Sequence, residues 1–492
     1  MKRLISILLV LSMLLVAIAC AKSEPAPTDP ASQETAAQTG TEEQGTGENG
    51  TGEPATGEQP DADPSSSTTT KKPSTTTKRP TTTTKPPVTT TKPSTSIPSA
   101  GYGSQQTYTP QIIQNFSWSN INALPQATAS MSVEKLRDIC WDFMALQLNF
   151  GWKANASFKA KEGKNVTYKT NTLYGGMPYS ESTFNNLYQV MHYYKDGVMD
   201  INAMSAASNG DVKSVFGNQC SASTLWSWAR VSNTVGWTST ATVTPYYGAI
   251  PLGDALYDYF AKNYPNLDKY TESVTSKTVL HGAGKEAAFA GYDKLQKGDG
   301  LVYNAGAGHV MMVHHVDTAA KKIYIQHQTY RNAAAGAHTG DYDSMTYEQA
   351  YNDGSVPFTI PEFVPKTHPK YSPVENYELF FSHQNATVTV DQLKNAYVKS
   401  NYMISDVTIR FKHGNTVLEE VFVAISDGVR YTGQIKRKAP LYINNGGSNA
   451  ERNLGVDLAT LNNHAANGNT IEISARISTG FEKVVYTGTL ST

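Results

Sequence analysis

Apolar residues recur along this chain with changing period, and each period predicts a different kind of element. From Val133 to Phe150 they follow helical spacing, and Ser182 to Tyr194 repeats it more weakly. Ala222, Leu225, Trp226 and Ala229 fall on one helix face, so a helix begins close to Cys220, after the polar turn Gly217, Asn218, Gln219. Trp226 and Trp228 cannot share that face, so one is expected in the core and the other beside a cleft. Leu173 to Tyr179 reads as a glycine turn feeding an exposed aromatic segment, with Tyr174 and Tyr179 available to sugar or peptide. Thr238 to Pro245 and Ile250 to Leu252 are apolar and β-branched, and Ala255 to Asn263 is amphipathic with helical spacing. From Leu295 the pattern changes to strands. Leu301 to Asn304, His309 to Asp317 and Lys322 to Thr329 are separated by connections short enough for hairpins. A helix over Tyr347 to Tyr351 and a β-rich exit over Val356 to Ile360 follow. Helices first and an antiparallel meander afterwards predict an α+β domain over residues 109–384.

Beyond it the alternation is almost purely two-residue. Ala386 to Val390, Ser405 to Lys412, Thr416 to Ile425, Gly428 to Ile435, Leu441 to Asn444, Thr470 to Ile477 and Glu482 to Leu490 read as strands, with a hairpin turn at His413 to Asn415. Strands at this spacing predict a small all-β sandwich over residues 385–492. It has no cysteine and no clustered carboxylates or histidines, which suits a wall-binding, spacer or protein-contact module.

The amino-terminal part has neither period. Lys2 and Arg3 precede an apolar run from Leu4 to Ala19, too short to span a bilayer comfortably and shaped like a secretory signal. From Ala21 to about Gly101 large apolar residues almost vanish, so this stretch cannot offset its ordering entropy by burial. Glu and Asp punctuate its first half; Lys71, Lys72, Lys78, Arg79, Lys85 and Lys92 punctuate a Thr- and Pro-rich repeat in its second. Extended at roughly 3.1 Å per residue, such a tether reaches on the order of 200 Å. The whole chain of 492 residues has a formal net charge of −1, which argues against nucleic acid as a partner. Its 3 cysteines are too few for a disulfide scaffold.

Candidate chemistry centres on Cys220 and His309. A cysteine in the first turn of a helix meets unpaired N–H groups and the positive end of the helix dipole, which favour the thiolate. Cys140, inside the apolar run Val133 to Phe150, reads as a small core residue, although a Cys140–Cys220 bridge would remove the nucleophile. His309 opens a strand, and a third group should accept its other ring N–H. Gln326, His327 and Gln328 on the neighbouring strand are the candidates, and alternation sets His327 with Ile323 and Ile325, apart from Gln326 and Gln328. The backbone N–H of Cys220 is the natural oxyanion donor, with Gln219 or Tyr179 as a second. His309 and His315 on one strand face, with His314 and His327 nearby, lack a convincing third ligand and any carboxylate, so no metal and no cofactor is expected.

These residues carry a resemblance. A cysteine at a helix start, then Leu295, Gly298 and Asp299 ahead of a strand, then Gly308, His309 and Val310 opening the next, resembles the NlpC-type and CHAP-type papain-like cysteine amidohydrolases over roughly residues 111–365. The resemblance implies a papain-like fold, a Cys220 nucleophile, a His309 base and a polar residue near position 327. It also implies cleavage of peptide or amide bonds, with peptidoglycan stem peptides as the leading substrate. Gln219 before the cysteine, Ser223 and Thr224 after it, and a long segment around Tyr246 to Lys285 depart from the family pattern. The alternative is an inactive papain-like domain that binds cell wall or protein, or an adhesive surface protein. Ala17, Ile18, Ala19, Cys20 resembles the bacterial lipoprotein processing site. It implies signal peptide 1–19, a lipid on Cys20, a stalk over 20–108, and a location on the outer face of the membrane reaching into the wall. Peptidoglycan or a surface protein or peptide is the expected partner, with the membrane reached through the lipid.

Overall fold

The computed structural model describes residues 112–159, 167–180, 185–207, 216–237, 246–265, 274–304, 308–329, 340–424, 437–441, 443–444 and 456–492. The signal peptide, Cys20 and the stalk lie outside them, as do the strands expected over 238–245 and 428–435. The described residues belong to one compact unit, and among them no helix is long and apolar enough to cross a membrane.

Helices and antiparallel sheets alternate in an α+β arrangement. The first long helix, α1 (Val133–Asn149), starts where Ser132 accepts a hydrogen bond from Lys135 N at 3.3 Å, and Ile139, Cys140, Phe143 and Met144 are in its buried part. Cys220–Trp228 forms α2, every residue of which is buried. Both Trp226 and Trp228 are therefore core residues, and the expected cleft-lining tryptophan is corrected: a helix enclosed on all sides has no outward face to offer. Strand β1 (Ile250–Pro251) and helices α3 (Asp254–Asn263), α4 (Ser276–Ala283) and α5 (Lys285–Tyr292) follow. Next come β2 (Gly300–Tyr303), β3 (His309–Asp317), β4 (Lys322–Gln328), β5 (Gly340–Thr346), α6 (Tyr347–Asp353) and β6 (Val356–Thr359). The sheet order is β5-β4-β3-β2-β6-β1, all antiparallel. The expected meander is its centre; β5, which the sequence pattern missed, is one edge.

The Leu-x-x-Gly-Asp turn has a structural reason. Asp299 is completely buried and accepts from Arg137 Nη1 of α1 at 2.8 Å, from Thr359 Oγ1 of β6 at 2.6 Å and from Gln296 N at 2.8 Å. Arg137 Nη1 also reaches Lys297 O at 2.9 Å. One carboxylate thus ties together α1, the turn before β2, and β6. Burial pushes its carboxyl above the ordinary range in spite of the guanidinium beside it.

The second apolar cluster is built on β7 (Leu379–Phe381), β8 (Thr387–Thr389), β9 (Tyr397–Ser400), β10 (Ile404–His413), β11 (Thr416–Ala424), β12 (Arg437–Pro440), β13 (Thr470–Ile477) and β14 (Glu482–Ser491). Two sheets result, β8-β14-β13-β10-β11 and β7-β9-β12. The expected all-β character is corrected, because helices Val390–Lys394 and α7 (Leu458–Ala466) belong to this region. Asp457 caps α7 by accepting from Ala459 N at 3.2 Å, and Leu461, His464 and Ala465 face inward at helical spacing.

This region is bonded to the first rather than strung beside it. Met403 and Phe422 join the first apolar cluster. Ser405 accepts from Asn186 Nδ2 at 3.0 Å through its hydroxyl and from Gln189 Nε2 at 2.7 Å through its carbonyl. Ser478 Oγ donates to Ala229 O, the C-cap carbonyl of α2, at 2.6 Å.

Just beyond α2, Glu362 is 2 % exposed and accepts from Thr234 Oγ1 at 3.3 Å. Burial pushes its carboxyl up to about 8, against the hydrogen bonds from Ser232 and Thr234 and with the Glu375 charge adding to the rise. Folding therefore favours the protonated acid. The stabilisation is complete below the unfolded value near 4.5 and is lost as pH rises through about 8.

Two outcomes are expected. Asp299→Ala should lower the unfolding free energy by about 3–5 kcal/mol in urea titration, because it strands the Arg137 charge in the interior. Wild-type stability should fall between pH 5 and 8 as Glu362 ionises. Glu362→Gln should flatten that slope in melts run across this range; an unchanged slope would remove Glu362 as its origin.

Candidate functional site

The start of α2 is held by an unusual approach. Gly217 has φ +127, and a Cβ there would stand 2.6 Å from Pro178 O. The closeness comes from a parallel bridge between Tyr179 and Asn218, in which Asn218 N donates to Pro178 O at 3.0 Å and Ser180 N to Asn218 O at 2.9 Å. Gln219 then adopts extended backbone (φ −117, ψ 175) as the N-cap residue, and its side chain makes no cap bond. Its carbonyl accepts from Ser223 N at 3.0 Å and Ser223 Oγ at 3.1 Å. Cys220 is the first helical residue and is 3 % exposed. Cys140 and Cys220 are not joined by a disulfide. Cys140 is packed in the core, where burial pushes its thiol well above the ordinary range. Of the oxyanion candidates, Gln219 is half-buried beside Cys220, and Tyr179 is half-buried and tied by its backbone to the segment that delivers Cys220.

His309 is the first residue of β3 and pairs with Tyr303 of β2. Its Nε2 lies 2.5 Å from His327 Nδ1 on β4. His327, not Gln326, is therefore the residue that meets His309. The register pairs Met312 with Gln326, so Gln326 stands on the opposite face, where its Nε2 lies 3.8 Å from Met312 Sδ. Between two imidazoles this contact requires one nitrogen to donate and the other to accept. If His309 donates through Nε2, its Nδ1 is the basic nitrogen of the neutral ring.

Anchors at its two ends orient α2 on the sheet. At the carboxyl end, Trp228 Nε1 donates to Gly298 O at 2.7 Å, and the indole lies where a Cβ on Gly300 would be, 2.9 Å away. At the amino end, Gln328 Nε2 donates to Met177 O at 2.5 Å, and Asn218 Nδ2 lies 3.7 Å from Met177 Sδ. Gln328 adjoins His327, and Asn218 precedes Cys220 by two residues. Cys220, His309 and His327 thus belong to the same end of the layer. Their faces differ. Trp228 covers the face of Gly300 and Met312, whereas His309 and His327 occupy alternate positions, on the face of Met311 and Ile325.

No protein-family model and no curated protein matches this chain. The β-bulge between Val313 and His315 corrects the expected alignment of His309 with His315. His315 instead stacks on Tyr324 with ring centroids 4.2 Å apart, and His314 packs on Trp141 at 4.8 Å. Among the described residues no group of three His, Cys, Asp or Glu side chains is placed to hold a metal ion. Tyr174, expected to be exposed, is buried, with its hydroxyl accepting from Lys169 N at 2.6 Å, so it is no ligand contact.

Sequence reasoning missed Gln147. It is fully buried near the end of α1, donates through Nε2 to Ser223 O at 3.0 Å and Ser227 Oγ at 3.1 Å, and accepts through Oε1 from Asn218 Nδ2 at 3.1 Å. An amide between Leu146 and Leu148, in the apolar stretch Phe143 to Leu148, was the available signal. Gly217→Ala should destabilise the fold by about 1–3 kcal/mol in chemical denaturation, through backbone strain and the Pro178 clash; a neutral effect would mean that the bridge to residues 178–180 yields freely.

Proposed function

We propose that the chain is a cysteine hydrolase of peptide or amide bonds, carried by Cys220, His309 and His327, with peptidoglycan stem peptides as its substrate class. The observation that carries the reading is the His309–His327 contact at the end of the layer where α2 begins with Cys220. In the proposed cycle His309 takes the thiol proton, the thiolate adds to the amide carbonyl, and the oxyanion is held by first-turn N–H groups. Protonated His309 gives its proton to the leaving amine as the C–N bond breaks. Water, deprotonated by His309, then hydrolyses the thioester and restores the thiol. His327 accepts the His309 N–H and fixes the ring. Lipid on Cys20 and the Thr, Pro and Lys stalk would hold this domain on the outer face of a membrane, within reach of the wall.

A second reading, a papain-like domain that binds wall or protein without cleaving it, is favoured by two observations: alternation sets the imidazoles on the face opposite the one that Trp228 covers, and Cys220 is almost enclosed. Release of new amino groups from cell-wall fragments separates the two. On the hydrolytic reading wild-type protein releases them, Cys220→Ala abolishes release with an unchanged melting curve, and His309→Ala lowers the rate by about 10²–10⁴-fold. Equal behaviour of wild type and Cys220→Ala, with fragments still bound, would establish the binding reading.

A further inference from the structure

A helix that must present a nucleophile at its first residue has conflicting needs: its start must be fixed, yet a capping side chain would occupy the N–H groups that stabilise negative charge there. In α2 the N-cap residue Gln219 makes no side-chain cap bond. The start is fixed from the side instead. The fully buried Gln147 amide spans the junction, with Oε1 on Asn218 before the helix and Nε2 on Ser223 O and Ser227 Oγ within it. Its own carbonyl accepts Met177 N at 3.0 Å, and Met177 O in turn receives Gln328 Nε2 from the strand of His327. The Gln147 side chain thus links the segment entering α2 to the first two turns of α2, and its backbone carbonyl, through Met177, connects both to the strand that carries the orienting histidine.

We infer that Gln147 is a positioning residue for the Cys220 thiol, holding the first turn of α2 in place of an N-cap. The inference rests on Cys220 being the nucleophile. Its test needs no substrate. Full-length protein in detergent is alkylated with iodoacetamide from pH 5 to 10, and the rate at Cys220 is read by peptide mass spectrometry. Wild type should show a midpoint below the ordinary thiol range. Gln147→Met, which keeps the volume and loses all three bonds, should raise the midpoint by about one unit and slow alkylation at pH 7 roughly tenfold. Asn218→Leu, which removes the Oε1 partner and the Met177 Sδ contact but leaves both Nε2 bonds, should shift it in the same direction and serves if Gln147→Met does not fold. Ser478→Ala, which removes a bond at the other end of α2, should lower the melting temperature without moving the midpoint. A depressed wild-type midpoint that both variants leave in place overturns the positioning role and leaves the nucleophile standing. A wild-type midpoint in the ordinary range overturns both.

Discussion

The buried ion pair between Arg137 and Asp299 is the constraint on which the rest of the first domain depends. Arg137 belongs to a helix, Asp299 to the turn ahead of β2, and Thr359, which shares the carboxylate, to β6. Removing one partner from such a pair costs far more than exchanging both for apolar groups, because the survivor is left charged in the interior. The pair therefore specifies where α1 meets the sheet. That placement fixes Gln147 at the other end of α1, since a helix transmits position along its axis at about 1.5 Å per residue. The register of β2 against β3 begins at the same turn, so the position of His309 follows from it as well. A glycine-aspartate turn that looks like a functional motif is thus, in its direct contacts, a structural clamp.

The carboxy-terminal region extends the same logic. It has its own apolar core, yet it supplies Met403 and Phe422 to the first and a hydroxyl to the last carbonyl of α2. Gly480 lacks a side chain where a Cβ would strike Tyr188 and Arg230. Polar groups buried across such a contact are costly to separate, since each would lose its partner on opening. A freely tethered spacer would not need them. The region acts as part of the scaffold that holds α2, whatever it binds on its outer face.

How much of this was legible follows from where burial is one-sided. Strand β3 was read with its true bounds, His309 to Asp317, because it is a long apolar run between turns. His327 was separated from Gln326 because two-residue alternation survives in a strand between neighbours. The α2 tryptophans were misjudged because periodicity locates a face only when one face is wet. Helices α4 and α5 escaped because each is only eight residues long and they meet at Gly284, whose φ of +91 interrupts the pattern. Tyr174 was misplaced because a tyrosine can bury its ring once a backbone N–H satisfies its hydroxyl. The network around Gln147 left almost no trace, since one amide within the apolar stretch Phe143 to Leu148 has no period of its own.

The relation between the thiol and the imidazoles turns on the same alternation. A side chain in the middle of a central strand is confined to one face, because the hydrogen-bonded neighbours on both sides close the other route. His309 escapes that confinement only because it is the first residue of β3, with Gly308 before it and β2 ending opposite at Tyr303. One residue further along, at Val310, an imidazole would project to the other face, that of Met312 and Gly300. The proposed nucleophile is likewise the first residue of its helix, where the backbone has not yet closed around the N–H groups. Both groups thus sit at element ends, where chain geometry is least determined by regular hydrogen bonding and most by outside contacts. In α2 those contacts are Gln147 and the residue 178–180 bridge; in β3 the contact is His327. A shift of either end by one residue would reverse the face of His309 or turn Cys220 by about 100° around the helix axis. The proposed chemistry accordingly depends less on which residues are present than on how firmly two element ends are held.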